Sequence, residues 1–110
     1  MRRNDESAGY RHARLEELIL EELRGLFRDD VSDPALGSVR VAAIVLSVDY
    51  RHARVHYVMG AGTHAKNEVT ARIARVIPFL RARIGEALDL KRVPELSFVL
   101  DAAAPSETLG

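Results

Sequence analysis

A chain of 110 residues with 47% hydrophobic and 29% charged side chains has the make-up of one folding unit with a packed core, not of a disordered or multidomain polypeptide. Sixteen Lys and Arg balance sixteen Asp and Glu, which argues against a uniformly basic, indiscriminate nucleic-acid binder. The lack of cysteine excludes disulfides, thiolate metal sites and a cysteine nucleophile, and fits a reducing, cytoplasmic setting.

Residues 1–9 hold Arg2, Arg3, Asp5 and Glu6 but no apolar segment, so they read as a flexible, uncleaved arm rather than a targeting signal. From residue 10 to 28, Leu15, Leu18, Ile19, Leu23, Leu26 and Phe27 recur at spacings of three and four, the single apolar stripe of a first helix. Glu16, Glu17, Glu21 and Glu22 occupy its other faces, and Arg24 and Arg28 suit the negative pole of its dipole. Pro34 disfavours helix at Asp33, and Gly37 permits a turn.

Residues 39–49, VRVAAIVLSVD, are β-branched and apolar on both parities, which predicts a central strand. After a DYRH turn, residues 53–60 alternate Ala53, Val55, Tyr57 and Met59 with Arg54, His56 and Val58, the pattern of a half-buried hairpin partner. Gly60 and Gly62 end that strand, and Thr63 is placed to cap the second helical region. Across residues 64–90, Val69, Ile73, Val76, Ile77, Leu80, Ile84 and Leu88 form one stripe, with Pro78 in its middle. Proline leaves the carbonyl of Ala74 without a donor, which predicts two short helices meeting at a bend. Pro94 opens a last strand through Asp101, and residues 102–110 read as a frayed tail. The order is helix, strand, strand, bent helix pair, strand: an α+β layer fold with a three-stranded sheet and helices on one face.

No arrangement of side chains predicts catalysis. None of the serines lies in a GxSxG setting, and Asp49 and Asp101 stand at strand ends where turn or cap roles suffice. His52 and His56, four residues apart on a strand, are separated by roughly 13 Å, too far to share a zinc ion whose ligands lie about 2 Å away. GAGTHAK, residues 60–66, lacks the spacing of a phosphate loop. The neutral total conceals a lopsided distribution, with nine basic against three acidic residues between positions 51 and 92. On a helical wheel Arg72, Arg75 and Arg83 fall on one flank of the second stripe with Phe79 between them, and Arg81 on the other. Guanidinium groups so placed pair with phosphates and stack on bases. Arg81 has the alternative of pairing with Glu86 or Asp89, and Lys91 and Arg92 the alternative of satisfying the helix C-terminus.

Four pieces occurring in order give the chain a family likeness: Asp33-Pro34 after the first helix; Ser47-Val48-Asp49 followed by Ala53-Arg54-Val55; Phe79-Leu80-Arg81; and Arg92-Val93-Pro94-Glu95-Leu96 leading to Phe98 and Asp101. In these the chain resembles the ribosome-binding factor A family over roughly residues 10–101. The resemblance implies a type II KH-like fold and a monomer that binds the immature small (30S) ribosomal subunit and its 16S rRNA. It further implies help with late maturation, including 5′-end processing and especially in the cold, without cofactor or catalysis. The RNA-contacting set expected on this basis is Arg72, Arg75, Arg81, Arg83, Lys91, Arg92, Arg54 and Lys66, with no metal ligand. Where the family bends its helices at a small-residue sequence, this chain has Val76-Ile77-Pro78. The alternative from a different class is a protein-interaction module using Leu20 and the acidic face of the first helix.

Overall fold

The computed structural model describes residues 2–60 and 64–101; the expected cap Thr63 and the tail 102–110 lie outside the described residues. Helix α1 spans Arg2–Gly25 and passes into a single π turn, Leu26–Asp30, closed by Val31 N–H to the Leu26 carbonyl at 2.8 Å. It starts eight residues before Tyr10, where periodicity placed its beginning, because the polar residues 2–9 carry no apolar stripe to signal a helix. A 3-10 turn, Pro34–Leu36, is capped by Asp33, whose carboxylate accepts from Ala35 N–H at 3.0 Å. Beyond it lie β1 (Val39–Leu46), β2 (His52–Met59), α2 (Lys66–Leu88) and β3 (Glu95–Leu100).

The sheet order is β1-β2-β3, with β1 antiparallel and β3 parallel to β2. The central strand is therefore β2, which corrects the expectation that residues 39–49 would run through the middle. Between Val41 and Ala43 the register slips, leaving Ala42 without a partner, and this bulge turns both Ala42 and Ala43 outward. Apolarity on both parities thus came from small residues on an open face, with Val45 beside them 52% exposed.

As an edge strand β1 has unpaired backbone groups, and side chains of α1 cover them. The Glu16 carboxylate accepts from Leu46 N–H at 2.8 Å, and Arg24 donates to the carbonyls of Val41 and Ala42 at 3.0 and 3.2 Å. These bonds block the edge against pairing with another chain.

Both helices cover one sheet face. Ile19 and Leu23 of α1, Leu80 and Ile84 of α2, and Val55 of β2 are fully buried in one cluster with Ile44, Leu46 and Leu96. A second cluster joins Leu36, Val39, Tyr57, Val69 and Ile73, and Phe98 packs against both, edge-on to Phe27 and Tyr57 at 6.0 and 6.1 Å.

The two short helices expected either side of Pro78 are one continuous helix, α2. Pro78 and Ala74 both lie on the exposed face, so water can serve the carbonyl that proline leaves unpaired. Ala65, not a capping residue, precedes the first turn, and α2 ends with Asp89 in the left-handed conformation at φ 54°. Leu90 N–H then bonds the Gly85 carbonyl at 3.0 Å, so the helix terminus is closed by backbone rather than by Lys91 or Arg92. Val93 packs close over Gly85, where an added Cβ would lie 2.9 Å from its Cγ2.

Candidate nucleic-acid interface

The row of arginines read from the wheel of α2 is not a row of unengaged guanidinium groups. Arg72 donates from one nitrogen to both carboxylate oxygens of Asp33 at 3.0 and 2.9 Å, with Glu68 at 4.0 Å. The Ala35 N–H and then Arg72 hold the Asp33 carboxyl below its ordinary range, and the Arg72 guanidinium is raised in turn by Asp33. Arg83 pairs with Asp30 at 3.1 Å and Glu86 at 3.8 Å, and its guanidinium lies 5.6 Å from the Phe79 ring centre. The side chains of Arg75 and Lys66 are exposed and make no hydrogen bond or ion pair among the described residues. The wheel of a single helix cannot contain the carboxylates of Asp30 and Asp33, which the turns after α1 supply.

Arg81 is engaged by backbone oxygens rather than by carboxylates. It donates to the carbonyls of Pro94 at 3.0 Å and Val93 at 2.8 Å, tying α2 to the start of β3 rather than pairing with Glu86 or Asp89. Both acceptors are neutral, so its charge is held in place without being cancelled.

Positive charge gathers instead at one end of the sheet, for a topological reason. Parallel pairing sets the first residues of β2 and β3 side by side, His52 opposite Glu95, and Glu95 N–H donates to the Arg51 carbonyl at 2.8 Å. The β1–β2 turn and the loop from α2 into β3 therefore meet at the same end. Arg51, His52, Arg81, Arg92, Val93 and Glu95 line a cleft of about 350 Å³ there. Arg51, Arg54, Lys91 and Arg92 are exposed and without an ion-pair partner among the described residues. Arg54 lies farther along β2 on the open face, opposite Ser97 of β3 and Val45 of β1. Glu95 is the one carboxylate among the described residues that line the cleft, so the cluster keeps a net positive field, focused by its concave walls.

Of the eight residues expected to contact RNA, the structure thus brings Arg54, Arg81, Lys91 and Arg92 to this end, leaves Arg75 and Lys66 on the outer side of α2, and turns Arg72 and Arg83 to carboxylates. Sequence reasoning missed Arg51 by treating it only as part of a turn, because the parallel pairing that sets it beside the loop before β3 is not written in the pattern of either strand.

A larger cleft of about 660 Å³ lies between the end of α1 and the start of β1. Its arginines are engaged: Arg24 with Val41 and Ala42, Arg28 with Asp29, and Arg40 with the carbonyls of Gly37 and Val39. Three of the histidines also have partners, His12 with the Ser47 carbonyl, His56 with Asp101 and His64 with Glu68. Among the described residues no helix is long and apolar enough to cross a membrane.

A three-stranded mixed sheet covered on one face by two helices, with a localised basic end, defines a small KH-like α+β protein. The chain belongs to the ribosome-binding factor A family, whose model matches residues 11–108. It is 38% identical over 94 residues to ribosome-binding factor A of Heliobacterium modesticaldum, covering 86% of this chain and 78% of that one. With the Moorella thermoacetica protein of the same name it shares 35% identity over 95 residues, covering 84% and 78%. The crystal structure of ribosome-binding factor A from Thermus thermophilus superposes with a TM-score of 0.60 at 23% identity, over 84% of this chain and 93% of that one, which shows the shared fold.

Proposed function

We propose that this protein is a ribosome assembly factor of the cytoplasm that binds the immature small (30S) subunit through 16S rRNA and assists its late maturation, including 5′-end processing. Family membership supports the ribosome as partner. The observation that carries the mode of binding is the convergence of Arg51, Arg81 and Arg92 on one cleft with Lys91 and Arg54 at its margin. Guanidinium forks match phosphate oxygens bidentately, and Arg81, pre-positioned by two carbonyls, loses little freedom on meeting one. Phosphate contacts fix position and orientation on RNA without reading sequence. The protein acts by holding rRNA in one conformation while neighbouring elements mature, a role that needs affinity and release but no catalytic group.

Sedimentation of the purified chain with small subunits on a sucrose gradient tests this. The variant Arg51→Glu/Lys91→Glu/Arg92→Glu is expected to leave the small-subunit fractions while keeping its far-UV circular dichroism. Unchanged co-sedimentation of that variant removes the basic end from the interface.

A further inference from the structure

We propose that the β1–β2 turn, residues 47–51, presents Tyr50 as a platform for one unstacked base of single-stranded RNA while Arg51 and Arg92 hold the adjoining phosphates; this rests on the reading that the basic end of the sheet meets rRNA. Tyr50 has φ 66°, a left-handed conformation that Gly or Asn adopts readily and a bulky residue does not. The turn holds it there with a closed set of hydrogen bonds. Ser47 N–H bonds the His52 carbonyl at 2.8 Å, Tyr50 N–H the Ser47 carbonyl at 2.9 Å, and His52 N–H the Ser47 hydroxyl at 3.0 Å. The Asp49 carboxylate accepts from the Ser47 hydroxyl at 2.7 Å and Arg51 N–H at 3.0 Å, and these bonds, the hydroxyl first, keep its carboxyl below the ordinary range.

An over-determined turn that carries an aromatic ring in an unfavourable conformation points to a use for the ring. Its position is set from the other side by His12, whose ring meets it at 5.2 Å and 76° and whose Nε2 lies 3.1 Å from the Ser47 carbonyl. In an edge-to-face pair His12 covers at most one face of the phenol, and Tyr50 as a whole is 38% exposed. Val48 in the same turn is 90% exposed and widens the apolar surface. Arg51 follows Tyr50 directly and lines the basic cleft with Arg92. An open aromatic face beside unpaired guanidinium groups fits a splayed single strand, because every base has a π-face and duplex bases are stacked out of reach.

The full chain is titrated with a short single-stranded RNA carrying one 2-aminopurine and with a hairpin duplex of similar length. Tyr50→Phe is expected to bind both as the parent does and to change the probe's fluorescence on binding. Tyr50→Asn, which suits the turn, and Tyr50→Leu, which keeps apolar bulk against His12 without a π-face, are each expected to bind the single strand about tenfold more weakly and to lose the fluorescence change. Duplex binding and the salt dependence of both variants stay as in the parent. Parent-like single-strand affinity in either folded variant overturns the platform. If Arg51→Glu/Arg92→Glu binds both RNAs normally, the underlying reading of the basic end has failed; if it weakens both while the Tyr50 variants weaken neither, only the platform has.

Discussion

Asp33 shows how much one side chain can commit. Its carboxylate caps the 3-10 turn through Ala35 N–H and receives Arg72 from α2, joining the chain after α1 to a helix 39 positions away. Asp33→Asn keeps an oxygen for the cap but removes the charge that Arg72 meets. A carboxyl whose folded value is depressed contributes stability above its ordinary range and loses it as pH falls through the folded value. The variant is thus expected to be less stable than the parent at neutral pH, with the two denaturation midpoints converging below about pH 4. A gap that stays constant on acidification excludes the ion pair as its source. The same geometry makes Arg72 a poor choice for testing RNA contact, since Arg72→Glu sets two carboxylates together and disturbs the fold first.

Among the elements, α2 was the most legible and the most misread. Val69, Ile73, Leu80 and Ile84 are buried as their spacing required. Pro78 did not divide the helix, because the exclusion it imposes is local and its face is wet. An interior proline disfavours helix by about 3 kcal/mol relative to alanine, partly offset by the freedom it removes from the unfolded chain. Pro78→Ala is therefore expected to raise unfolding free energy by about 1–2 kcal/mol, read from urea denaturation with an unchanged m-value. A loss of stability would mean that α2 depends on the ring for its packing. In β1, the misassignment to the sheet centre arose because Ala42 and Ala43 resemble core residues in a pattern, while only the bulge and the partners on α1 show which way they face.

For the whole molecule, zero net charge conceals a separation: ten acidic against seven basic residues in positions 1–50, and nine basic against three acidic in positions 51–92, several of them where β2 and β3 begin. Steering and affinity follow the local field, so an electroneutral chain can still bind a polyanion. With Arg51, Arg54, Arg81, Lys91 and Arg92 each meeting one phosphate, the slope of log affinity against log salt for rRNA fragments is expected at about −3.5 to −4.5. The triple reversal of Arg51, Lys91 and Arg92 should flatten it. A parent slope near zero would mean that binding is not led by phosphate contacts.

Periodicity alone determined which helix faces are apolar and where three strands and two helical regions lie, because burial repeats every 3.6 or 2 residues whatever the neighbours are. The motifs around Asp33-Pro34 and Arg92-Val93-Pro94 carried the family in the same way. Pairing direction, the outward turn of Ala42 and Ala43, and the partner of each arginine were decided only by tertiary structure. Those depend on residues brought together from distant positions: Asp33 and Asp30 reach α2 and neutralise two of its guanidinium groups, while parallel strands carry Arg51 to Arg92.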